Sequence, residues 1–125
     1  MPRFDPTPAG SGPQVRGFTA AGQFVIDAEA YAAVLLTPDR ATAWSPPPRE
    51  ELTLADLDLL LALQPAPEFL LFGSGAKLAR PPRALVDQLA ERGIGVEVMD
   101  SRSAARTWGV LRAEERWIVA ALLPL

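Results

Sequence analysis

A chain of 125 residues, 49% of them hydrophobic, is long enough for one domain around one buried core. A net charge of −3 lacks the basic footprint of a nucleic-acid binder, so no nucleic acid is expected as a partner. The chain has no Cys and no His, which excludes disulfides, cysteine nucleophiles, thiolate or imidazole metal ligands and any Ser-His-Asp triad.

Residues 2–13 hold four Pro and three Gly or Ser. They are too poor in apolar side chains to pack, so 1–13 is read as a disordered or loosely packed tail and 14–125 as a single α/β domain. The tail has no apolar stretch for a signal peptide, and no later run approaches the roughly 20 apolar residues that cross a bilayer. The expectation is a cytoplasmic chain that does not span a membrane, with peripheral membrane association left open. Val15–Ala20 and Phe24–Ile26 read as a hairpin turning at Ala21-Gly22. Tyr31–Leu36 is a third apolar run, closed by Thr37-Pro38-Asp39, and Ala43-Trp44 adds a brief strand. Ser45-Pro46-Pro47-Pro48 cannot join a central ladder, because Pro lacks the N–H donor.

Leu52-Thr53-Leu54-Ala55-Asp56-Leu57 predicts a helix start, with Thr53 as the cap, Asp56 near the positive helix end and Leu52 stapled onto Leu57. That helix should run to about Leu63 and stop before Pro65, with a stripe of Leu54, Leu57 and Leu61 widened by Leu59, Leu60 and Leu63. Phe69–Phe72 reads as a buried strand that breaks into Gly73-Ser74-Gly75. Pro81-Pro82 opens a second helix in its first turn, with Leu85, Val86 and Leu89 inward and Gly93 ending it. Gly95–Val98 then completes a βαβ unit, right-handed in about 98% of such crossovers. Asp100 or Ser101 caps a third helix with a stripe of Ala104, Trp108 and Leu111, which Gly109 should shorten or bend at about 1 kcal/mol relative to Ala. Arg116–Leu122 is too continuously apolar for an exposed edge strand.

Two parallel strand ends thus bring Gly73-Ser74-Gly75 and Met99-Asp100-Ser101 together as the walls of one crevice, with Arg106 early in the following helix. The candidate binding residues are Gly73, Ser74, Gly75, Met99, Asp100, Ser101 and Arg106. Gly73-Ser74-Gly75 is not a dinucleotide turn, because the third glycine position holds Leu78, and it lacks the Gly-Lys-Ser/Thr ending of a phosphate loop. Residues 71–125 carry eight Lys or Arg against six acids, whereas residues 1–70 carry four Arg against nine. Lys77, Arg80, Arg83, Arg102 and Arg106 near a helix N-terminus suit a small anion. Asp100 sits where a catalytic carboxylate often does, but with no base or metal ligand beside it the residues assign it to capping. No catalytic residue, metal or cofactor is assigned. Trp44, Trp108 and Trp117 read as core or interface anchors.

Phe72-Gly73-Ser74-Gly75, Gly93 to Ser101, Ala104 to Leu111 and Glu114-Glu115-Arg116 together carry a resemblance. They resemble the small domain family that includes a mitochondrial respiratory complex I assembly factor and an adipogenesis-associated animal protein. The resemblance covers about residues 14–123 and is most specific from Gly93 to Leu111. It implies a single α/β domain, a mixed β-sheet flanked by helices with an N-terminal β-hairpin layer. It also implies a non-enzymatic protein that works through partners. Here Ser101 stands where the family tends to have Thr, Ala105 where it has Cys, Trp108-Gly109 where it has Tyr-Asn, and Glu115 where it has Gly. The expected function is therefore a non-enzymatic protein-binding domain similar to complex I assembly factors. The alternative is a small-molecule or anion-binding domain, a degenerate enzyme included, using the same crevice and marked by a cleft of about 300 Å³ or more between the loops. A homo-oligomer is left open.

Overall fold

The computed structural model describes residues 12–125. The expected tail lies outside the described residues up to position 11; Pro13, at its end, is buried. Three short antiparallel strands come first, β1 (Val15–Phe18), β2 (Phe24–Ile26) and β3 (Glu29–Tyr31), in a sheet of that order. β4 (Val34–Leu36) and β5 (Ala41–Ala43) follow, then a 3-10 turn (Leu54–Leu57) running into α1 (Asp58–Leu61). The last part is β6 (Phe69–Gly73), α2 (Arg83–Glu91), β7 (Gly95–Met99), α3 (Ser101–Ala113) and β8 (Val119–Leu122). The second sheet is mixed, in the order β5-β4-β8-β6-β7: β8 runs parallel to β6 and antiparallel to β4, and β7 is an edge parallel to β6.

Strand alternation divides the core between the two faces of this sheet. Leu35, Leu70, Phe72, Val119 and Ala121 meet Leu57, Leu60, Leu85 and Leu89 under α1 and α2. Val34, Leu36, Leu71, Ala120 and Leu122 meet Ala104, Ala105 and Trp108 of α3 and Phe24 and Ile26 of the small sheet. Each fully buried Leu or Phe contributes about 1.5–3 kcal/mol, which is what holds two helical layers and a second sheet onto one five-stranded scaffold.

The domain is the expected α/β unit, a mixed sheet flanked by helices with an N-terminal antiparallel layer, but several boundaries move. Tyr31–Leu36 is two strands: Tyr31 pairs with Phe24 in the small sheet, and Val34 pairs with Ala43 and Leu122 in the large one. The chain changes sheets at Ala32-Ala33, which no apolar count reveals, and polar, exposed Glu29 concealed β3. The expected helix over Thr53–Leu63 is a 3-10 turn plus a single α turn. Leu54, Leu57, Leu60 and Leu63 all pack into the same cluster, and an i, i+3 row suits the tighter winding, leaving Leu59 38% exposed. Thr53 and Asp56 form the expected reciprocal cap. Pro82 is the N-cap of α2 rather than its first turn. α3 runs unbroken through Gly109, whose missing side chain would face open space.

Candidate functional site

β6 and β7 pair in register from Phe69–Gly95 to Gly73–Met99, so the two loops leave the sheet side by side. There they are bonded to each other. The Ser74 N–H donates to the Met99 carbonyl at 2.8 Å, and the Ser101 N–H donates to the Gly75 carbonyl at 2.8 Å. The Ser101 hydroxyl accepts from the Gly75 N–H at 2.8 Å and donates to the Leu123 carbonyl at 2.7 Å. The Leu123 N–H donates to the Gly73 carbonyl at 2.9 Å, so the exits of β6, β7 and β8 meet around one buried hydroxyl. Glycine is required at position 73 because a Cβ there would lie 2.8 Å from Ser101 Oγ and 3.0 Å from its Cα. Gly75 adopts φ +106°, which side-chain-bearing residues rarely do. Ser74 folds its own loop, donating to the Lys77 carbonyl at 2.7 Å and accepting from the Ala79 N–H at 3.0 Å.

The structure thus brings Gly73, Ser74, Gly75, Met99, Asp100 and Ser101 together and joins the two loops by hydrogen bonds across the interval between them. Both serine hydroxyls are engaged as donor and acceptor. Asp100 caps α3 by accepting from the Ser103 N–H at 3.1 Å and the Ser103 hydroxyl at 2.6 Å, and these bonds hold its carboxyl below the usual range. Its negative charge stands at the helix end where an anion would bind. Arg106 is exposed on the outer side of α3, and the Arg102 guanidinium lies 4.6 Å over the Phe18 ring. Trp108 is wholly buried and its Nε1–H donates to the Pro13 carbonyl at 3.1 Å; Trp44 and Trp117 are half-buried.

A second feature lies beyond the residues that motif reading singled out. Among the described residues, no strand pairs with the outer side of β7, which is a sheet edge. Val96 and Val98 turn their side chains towards α2 and wall a hollow of about 450 Å³ completed by Arg80, Pro81, Arg83 and Val86. Leu78 and Ala79 border an adjoining hollow against the same two valines, and Leu78 is 69% exposed. The signal in the sequence is the alternation Val96-Glu97-Val98, the pattern of a strand with one covered face.

Among known families, the model for a protein of unknown function, DUF498/DUF598, matches residues 18–123. The chain belongs to this family. A relative from Danio rerio, NADH dehydrogenase (ubiquinone) 1 alpha subcomplex assembly factor 3, is 31% identical over 109 residues, 87% of this chain and 60% of that protein. The chain therefore spans less than two thirds of that relative. A crystal structure from Bordetella parapertussis superposes with a TM-score of 0.80 at 32% identity, covering 94% of this chain and all of the other. A Bartonella henselae structure described as an outer membrane protein has a TM-score of 0.80 at 25% identity, covering 92% of this chain and 97% of its own. These likenesses agree with the resemblance read from Gly93 to Leu111. Among the described residues, no helix is long and apolar enough to cross a membrane.

Proposed function

We propose that this DUF498/DUF598 domain is a non-enzymatic protein-binding module that acts in the assembly of a respiratory complex. The observation that carries the reading is the 31% identity over 87% of the chain to a protein named as an assembly factor. The closed joint supports it, since the Ser74 and Ser101 hydroxyls are spent on the backbone and Asp100 is spent as a cap. In this reading Gly73, Ser74, Gly75 and Ser101 hold the strand ends in register, and Met99, Asp100 and Arg106 border the surface a partner reaches. The domain works in the cytoplasm and meets a membrane only peripherally; cell fractionation tests this against the outer-membrane description of the Bartonella protein.

The test is affinity capture of the tagged chain from its own cells, beside Asp100→Ala/Arg106→Ala. The expected result is one stoichiometric protein partner from respiratory-chain biogenesis, recovered less well by the double variant. A co-purifying small anion with no protein partner would instead favour a ligand site in the same loops.

A further inference from the structure

The geometry points to the β7 edge as a docking strand for an extended segment of a partner, apolar and acidic on one side and neutral or basic on the other. This deepens the protein-binding reading above and rests on it. Met99 turns its carbonyl to β6, where Ser74 donates to it. Ladder groups alternate along a strand, so residues 95, 97 and 99 address β6, while Val96 and Val98 present N–H and C=O to the open side. Among the described residues no strand pairs there. An added strand would satisfy those groups and drop every second side chain towards α2, into the hollow of about 450 Å³ beside Val96 and Val98.

Charge selects the occupant. Arg80 and Arg83 both line that hollow; Arg83 is 92% exposed and, among the described residues, pairs with one acid, Asp87, at 3.8 Å. Carboxylates among the side chains that face α2 would meet two guanidinium groups. Glu97 stands on the opposite face of β7, so the intervening residue of the partner must not be acidic. The same charges disfavour a second copy of this chain. A two-fold pairing centred on Glu97 would set Glu97 against Glu97 and bring each copy's Arg80 and Arg83 towards the other's, and like charges directly opposed destabilise a ladder.

The probe is the peptide acetyl-Thr-Val-Thr-Glu-Lys-Val-Thr-Glu-Thr-amide, whose Val and Glu share one face and whose Lys lies on the other. A control peptide exchanges its Glu and Lys residues. Titrated into the isotope-labelled chain, the first peptide should bind saturably, shift amide resonances within 78–86 and 95–99, and slow solvent exchange of the Val96 and Val98 amides. Arg80→Glu/Arg83→Glu, exposed substitutions whose folding is checked by thermal unfolding, should weaken binding by at least about tenfold and should prefer the exchanged-charge peptide. No saturable binding at millimolar peptide, equal binding of both peptides, or shifts centred on α3 or the small sheet would overturn the inference. So would concentration-dependent self-association that slows the Val96 and Val98 amides without peptide. A captured partner retained in full by Arg80→Glu/Arg83→Glu would also overturn it while leaving the protein-binding reading in place. Peptide binding with the expected charge preference, but a captured partner from outside respiratory-chain biogenesis, would sink the assembly role and leave the edge as a docking strand.

Discussion

Replacing Ser101 by Ala tests whether one hydroxyl holds the three strand exits together. Its Oγ is fully buried, accepts from the Gly75 N–H and donates to the Leu123 carbonyl, at 2.8 and 2.7 Å. Alanine removes both bonds and leaves only the space of one oxygen, too little to admit a water that would take over. An unsatisfied buried donor or acceptor costs about 1–3 kcal/mol, and two are created here, so the expected loss is about 2–6 kcal/mol. For a domain of this size, about 4 °C per kcal/mol puts the fall in melting temperature at about 8–24 °C. Ser103→Ala is the matched control. That hydroxyl is half-buried and bonds the Asp100 carboxylate, so its removal should cost about 1.5 kcal/mol, the low end for a hydrogen bond to a charged group. Urea unfolding of both variants with unchanged m-values measures the difference. A Ser101→Ala loss below about 0.5 kcal/mol, the level of an ordinary surface change, would refute the assignment of Ser101 as the joint.

Three further outcomes follow from the same region. Gly73→Ala should destabilise by about 1–3 kcal/mol in denaturant unfolding, because its Cβ would press on Ser101 and Leu122 with no flexible route of escape from the Ser101 Cα. Trp108→Phe should cost about 1–3 kcal/mol and expose the segment around Pro13 to limited proteolysis, since it strands the buried carbonyl that Nε1–H satisfies. Asp100 and Glu68 both titrate below their ordinary values of 3.8 and 4.5, Asp100 through its bonds to Ser103 and Glu68 through Arg116 and the Trp117 N–H. Their stabilisation is complete above those ordinary values and is lost as pH falls through the lower folded ones. Asp100→Asn, an equally good cap, should leave stability near pH 7 unchanged and flatten its decline below about pH 4 in acid unfolding.

The β6-α2-β7 unit was legible because each boundary had a local cause: an apolar run ending in glycine, prolines before the helix, Gly93 at φ +78° after it. The cap by Asp100 was legible for the same reason, as was the interior position of β8. The small sheet was harder. β3 has two exposed residues of three, and its pairing with β2 comes from the turn at Asp27, which holds φ +53°. Short segments with little burial have no periodicity to read.

For the candidate residues the division is sharper. Residue types and order along the chain were enough to place Gly73-Ser74-Gly75 beside Met99-Asp100-Ser101, since parallel strands joined by one helix bring their C-terminal ends together. They could not say whether the ends stand apart or close. That depends on the third strand: Leu123, 22 residues beyond Ser101, supplies the carbonyl that its hydroxyl seeks and the N–H that Gly73 accepts. The open β7 edge is likewise a tertiary fact. Val96-Glu97-Val98 announces a strand with one covered face, but only the strand order leaves its far side unpaired and sets Arg80 and Arg83 beside it. Local chemistry determines which elements form, because capping, turns and alternation act within a few residues. Which polar groups are consumed and which remain free is decided where distant segments meet, because a buried hydrogen bond needs both partners in place.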